Sequence, residues 1–255
     1  MNTNSDRLEE LSDALINLGA VKQQVLSIVG DVRDVEPLLS RIKRLKNNAM
    51  LSRSGLIKDF VTKWEGSLAN RDFRLSQEEA DSMARSCDEL RFRMLSSALG
   101  AWPQGFFADA GNSNRPASNT IVHGRSGICH ATFGSYVIIL MPDFREQALY
   151  DLAAADLETV YDGLQGRRSN WVIDFSSVEH APSILFMAHL VALKGALTKT
   201  GSVLALVWLR DRLFAPAFLK QLKAAFDLQF KGGHFFSRAA AEVWEKTEAR
   251  PFPAA

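Results

Sequence analysis

From about residue 128 onward, short apolar runs of strand length alternate with longer segments of helical periodicity, an order that limits the fold more than any other feature of the chain. Residues 171–175 and 203–208 are nearly unbroken apolar runs, the pattern of strands buried on both faces. The first leads into a helical stretch over residues 183–198. The second leads into a helix with Pro216 in its first turn, ending near residue 226. Parallel neighbours need crossovers of that length. Ahead of them, residues 128–133 and 136–140 flank Gly134-Ser135 and predict a hairpin. A helix over residues 147–164 follows, with Leu149, Leu152, Leu157 and Val160 on its apolar side. Residues 228–230 or 234–236 add an edge strand, and Ser237 caps a last helix through Trp244. The expected class is α/β, a mostly parallel sheet with an antiparallel edge.

The first part of the chain differs in kind, because residues 6 to about 100 carry helical spacing throughout. Leu11, Leu18, Val25, Val32 and Leu39 recur every seven residues, and Val21, Ile28, Val35 and Ile42 form a second row. Gly30-Asp31 and Pro37 break this seam into two helices. Leu56, Phe60, Val61, Trp64 and Leu68 mark a third, and Ser76 with Glu79 makes a capping box for a fourth that runs to about Leu99. Such helices form a small bundle or pair with a second chain. Residues 101–125 are rich in Gly, Asn, Ser and Pro, a linker composition, with Trp102, Phe106 and Phe107 ready to dock on a neighbouring domain. The expected organisation is an all-α helical domain over residues 1–100, a linker over 101–125 and the α/β domain over 126–250.

A formal charge of +1 over 255 residues favours neither nucleic acid nor an anionic membrane as partner. The basic stretch Arg41, Lys43, Arg44 and Lys46 is offset by acidic residues elsewhere in the same half and reads as a solvated helix face. Cys87 and Cys129 are far apart and lack metal-ligand spacing, which points to a reduced, cytoplasmic setting. The N-terminus is polar, without a signal core, and the apolar run over residues 184–193 is too short to span a bilayer.

Pro182-Ser183 places a hydroxyl where the buried strand over 171–175 hands over to a buried helix. The first helical turn has unpaired amides and a partial positive charge. A phosphate on Ser183 would be held there and would add a charge of about −1.5 to −2. Without phosphate the same hydroxyl is an N-cap worth about 1 kcal/mol. In the helix that follows, Ile184, Met187, Ala188 and Val191 line one side, and Phe186, Leu190, Leu193 and Leu197 another. A helix on a sheet needs one apolar stripe, so the second is expected to contact another domain or a partner.

Residues 172–183, Val-Ile-Asp-Phe-Ser-Ser-Val-Glu-His-Ala-Pro-Ser, resemble the central motif of STAS domains, the fold of bacterial anti-sigma-factor antagonists and stressosome proteins. That family has a buried strand, then Asp-Leu-Ser, then a short loop ending in Asp-Ser or Asp-Thr. Asp174, Ser176, Val178, Glu179 and Ser183 fall on matching positions. Lys199-Thr200-Gly201 before the strand over 203–206 resembles the family's Gly-Gly turn, and Ala215-Pro216 opens the next helix as expected. Pro182 stands where the family usually has Asp, and Ile184-Leu185 where it usually has Ser-Gly. The resemblance covers about residues 126–248. It implies a non-enzymatic regulator in signal transduction or stress response, switched by phosphorylation of Ser183. The implied partner is an anti-sigma factor, a serine kinase or other STAS proteins, and a homo-oligomer is expected. Partner contacts are expected from Asp174, Ser176, Pro182, Ile184, Phe186, Met187 and Leu190. Two alternatives stand beside this: a self-associating scaffold in which Ser183 is only a cap, and a STAS subunit of a membrane-transport complex.

The remaining chemistry-bearing residues do not assemble into a catalytic constellation. Cys129 and His130 are adjacent on a strand and point to opposite faces. The Gly-Arg-Ser-Gly stretch at 124–127 lacks the strand–turn–helix setting of a nucleophile elbow or phosphate loop. Asp143, Glu146 and Asp151 have no companion metal ligands, and His180 and His189 read as surface or satisfied core residues. Neither cofactor nor metal is expected.

Overall fold

The computed structural model of the chain describes residues 4–28, 35–47, 55–68, 75–98, 121–133, 136–164, 167–231 and 234–238. The chain divides into two compact units, one holding the N-terminal helices and the other the strands and helices from residue 122 onward.

The helical unit contains α1 (Asn4–Ser27), α2 (Val35–Asn47), α3 (Gly55–Leu68) and α4 (Gln77–Ala98). Both heptad rows point inward where they are described: Leu18, Val21, Val25 and Ile42 are fully buried. Side chains of Leu11, Val32 and Val35 lie outside the described residues. Pro37 does not separate two helices. It lies in the first turn of α2, where its missing N–H has no intrahelical acceptor to lose. The capping box forms as expected: the Ser76 N–H donates to Glu79 Oε2 (3.0 Å) and the Glu79 N–H to Ser76 Oγ (3.2 Å). These bonds, with the Ser76 hydroxyl, hold the Glu79 carboxyl below its usual range. A buried ion pair, Lys22 Nζ to Asp88 Oδ2 at 2.5 Å, ties α1 to α4.

The second unit is α/β. Its elements are β1 (Val122–His123), β2 (Cys129–Phe133), β3 (Tyr136–Leu140), α5 (Ala148–Gly163), β4 (Asn170–Asp174), α6 (Ile184–Lys199), β5 (Val203–Val207), α7 (Pro216–Phe226), β6 (Leu228–Lys231) and β7 (His234–Ser237). The sheet runs in the order β1-β2-β3-β4-β5, with β1, β2 and β3 antiparallel and β3, β4 and β5 parallel. Val137, Ile139, Trp171, Ile173, Leu204 and Leu206 join a core with Tyr150 and Leu157 of α5, Phe186 and Leu190 of α6, and Phe226 of α7. The alternate residues Ile138, Leu140, Val172, Ala205 and Val207 are buried as well, which explains the unbroken apolar runs. Among the described residues, no helix is long and apolar enough to cross a membrane.

Several local expectations change. β1 falls inside the stretch read as linker, where pairing of Val122 with His130 supplies a strand that composition hides. Leu157 of α5 is buried as expected, but Leu152 is 45% exposed and the helix buries Tyr150 and Ala153 in addition. Residues 228–231 and 234–237 both form strands, pairing as a separate hairpin. That hairpin reaches β5 through the bridge of Leu209 with Phe235, after a turn at Trp208 in the left-handed region (φ 54°). Ser237 closes β7, and its hydroxyl accepts the Leu206 N–H at 3.1 Å. The hairpin turn at 134–135, the helix expected through Trp244, and Trp102, Phe106 and Phe107 lie outside the described residues.

The Gly-Arg-Ser-Gly turn is an anion cradle filled from within. Asp156 of α5 accepts the N–H groups of Arg125 (3.2 Å) and Ser126 (2.8 Å) and the Ser126 hydroxyl (2.6 Å). A Cβ on Gly124 would stand 2.4 Å from Asp156 Oδ2 and 2.9 Å from Ile128 Cγ1. The carboxylate cannot swing away without leaving its three donors. Gly124→Ala is therefore expected to cost about 1–3 kcal/mol, read as a lower urea midpoint for the α/β unit.

His130 on β2 gives the fold an acid sensitivity. Burial lowers its pKa from 6.5, partly opposed by Asp156 and reinforced by His123, and its Nδ1 is buried without a hydrogen-bond partner. The unfolded chain takes up this proton first. The stabilisation is thus present above the unfolded value and is lost as pH falls through the lower folded value. Between about pH 7.5 and about pH 5.5 the urea midpoint should fall, and His130→Asn should reduce that fall.

Candidate functional site

The carboxyl ends of β3, β4 and β5 gather three loops, residues 141–147, 175–183 and 208–215, and the second carries the STAS-like motif. Asp174, the last residue of β4, is fully buried and accepts the Ser176 N–H (2.7 Å) and hydroxyl (3.0 Å). This closes the turn that takes the chain off the sheet.

The rest of the loop is fixed from its neighbours. Asp143 Oδ1 accepts the N–H groups of Glu179 (2.8 Å) and His180 (2.9 Å), while Oδ2 lies 2.8 Å from His180 Nδ1. Arg210, beyond β5, donates to the Ser176 carbonyl at 3.3 Å and faces Glu179 at 3.8 Å. Burial lowers the Arg210 pKa, and Glu179 opposes that shift. Pro182 is buried and Ser183 follows in an extended conformation (φ −61°, ψ 145°), so the chain enters α6 from a rigid approach.

Ser183 is the N-cap of α6, its Oγ accepting the Phe186 N–H at 3.0 Å. The hydroxyl is half-buried and retains its own proton as a donor. No hydrogen bond joins it to the His180–Asp143 pair. Ser183→Ala should cost about 1 kcal/mol of stability, whereas Ser183→Asp keeps a good cap and adds charge. Their urea midpoints should differ in that order.

Helix α6 sorts the candidate partner contacts. Phe186, Met187 and Leu190 are at most 1% exposed and belong to the domain's own core, so they do not face a partner. Asp174 and Ser176 are 0% exposed and hold the turn, and Pro182 is buried with them. Only Ile184 of the expected contacts stands out, at 67% exposure. Beside it is Leu185 at 75%, which was not among the expected contacts. Ala188, Val191 (40%), Ala192 and Gly195 continue the exposed strip along the helix. Its exposed residues carry no formal charge before Lys199, the last residue of α6, and the half-buried Lys194 on the flank donates to the Ala225 carbonyl instead. His189, half-buried, turns instead toward Glu158 of α5 at 3.8 Å.

One pairing was not expected at all. Cys129 Sγ lies 3.0 Å from His123 Nδ1, because the β1–β2 register sets those two residues opposite each other. His130, the sequence neighbour, points elsewhere. Comparison with protein-family models, with curated proteins and with solved structures gave no match to this chain.

Proposed function

We propose that this protein is a non-enzymatic regulator that works by docking a protein partner on the exposed half of α6, with Ser183 as the switch. One observation carries the reading: Ile184 and Leu185, the two most exposed large apolar side chains described, immediately follow Ser183. A half-naked apolar helix is unfavourable in water and favours a surface that covers it. The pinned loop holds the hydroxyl at the rim of that surface. A phosphate there would be held by the first-turn amides and would set a charge of about −1.5 to −2 beside the apolar strip, disfavouring an apolar partner. The resemblance to STAS domains supports the same reading and nominates an anti-sigma factor or serine kinase in a reduced intracellular setting.

The test compares wild type, Ser183→Ala and protein carrying genetically encoded phosphoserine at 183, each recovered from its native cells with bound proteins quantified by mass spectrometry. Wild type and Ser183→Ala should retain a common partner that phosphoserine reduces at least about tenfold. Equal recovery in all three would remove the switch.

The absence of formal charge along the strip favours a second reading, a self-associating scaffold, since an uncharged apolar face is complementary to itself under two-fold symmetry. Light scattering across a concentration series separates the two, an assembly of unmodified protein alone supporting the scaffold.

A further inference from the structure

The helical unit contains a cleft between α3 and α4 that neither of these readings uses. It has a volume of about 200 Å³, with Phe60, Trp64 and Leu90 among its lining residues. Those three are at most 6% exposed and form an apolar base, while Asp59, Lys63 and Glu89 are exposed above them. The volume is below that of pockets for drug-sized ligands and suits a compact molecule.

The Lys63 ammonium lies 4.8 Å from the centroid of the Trp64 ring, so the chain already sets a cation against the best aromatic surface of its own cleft. Lys63 is solvent-exposed, so water can take up its ammonium when it leaves the ring. Glu89 is paired with Arg93, which neutralises that part of the rim. Asp59 makes no ion pair among the described residues and leaves one carboxylate over an aromatic base.

We propose that this cleft binds a small organic cation, a protonated or quaternary amine with a compact apolar body, which displaces Lys63 from the indole face and pairs with Asp59. The helical unit then has an input of its own, independent of any partner on α6. Lys63 acts as an internal competitor that sets the threshold for the ligand.

The probe is benzyltrimethylammonium, titrated into the ¹⁵N-labelled full-length protein while the tryptophan indole N–H resonances are followed. Trp64→Phe identifies the Trp64 resonance by its disappearance. The expected result is a saturable shift of that resonance. Lys63→Ala should tighten binding by about threefold or more, and Asp59→Asn should weaken it by about threefold or more. A shift that does not saturate, or affinities unchanged in both variants, would overturn the proposal.

Discussion

Phe186→Ala should destabilise the α/β unit by about 3–5 kcal/mol, the largest loss expected from one side chain around the candidate site. Phe186 is 1% exposed, its ring centroid is 5.2 Å from that of Tyr150, and its N–H is the one that Ser183 caps. Removing the ring opens a cavity in the layer joining α5, α6 and the sheet, where Phe144 packs edge-on against Tyr150 at 4.9 Å and restricts collapse. Leu185→Ala, one residue earlier, should stay within about 0.5 kcal/mol of wild type because that side chain faces water. Urea denaturation of the full chain, followed at the α/β transition, measures both. Equal losses would show that α6 buries a different face from the one described.

That contrast between neighbours also marks where the sequence stopped being informative. A helix with one apolar stripe announces its buried side, but α6 is apolar around its whole circumference over residues 184–193, His189 excepted. Helical spacing alone could not choose between the row containing Met187 and the row containing Phe186. The structure buries the Phe186 row and, of the other, Met187 alone, leaving Ile184, Ala188 and Val191 exposed together with Leu185. The deciding factor is the approach of the chain from β4, which Asp143 and Arg210 fix from outside the segment.

Features set by local chemistry were legible. The strand over 136–140 coincides with β3, Pro216 sits in the first turn of α7, and Ser76 and Glu79 exchange the bonds of a capping box. The fold class was readable for the same reason, since alternation of strand and helix periods survives small errors at element ends. Long-range pairings were not. Asp156 fills the turn at 124–127 from about thirty residues away in sequence, and Asp143 holds His180 from a different loop. Neither pairing is visible in the sequence, because each partner depends on how the chain returns to the sheet. β1 has only two residues, too few for an alternating pattern to register, and its pairing alone brings His123 to Cys129.

Leu185→Asp is expected to abolish docking on α6 while leaving the fold intact. Leu185 is 75% exposed, so the substitution removes little burial from the free protein. An aspartate in a first helical turn is also favourable to the helix dipole. In a complex, however, that position would be desolvated against an apolar surface, and the carboxylate would be buried without a counter-charge. The expected loss is at least about 2 kcal/mol of binding free energy, roughly thirtyfold in affinity. Leu26→Asp supplies the comparison, because Leu26 is another exposed apolar side chain, 42% accessible, on α1 and outside the strip. Circular dichroism and the urea midpoint establish that both variants fold. Quantitative recovery of the partner, or light scattering if the occupant is a second copy, should then separate Leu185→Asp from Leu26→Asp. The two occupants give different readouts, but each requires the same face of α6. A folded Leu185→Asp protein that keeps its partner and its assembly state would remove α6 as the docking surface, and with it the reason to place the switch at Ser183.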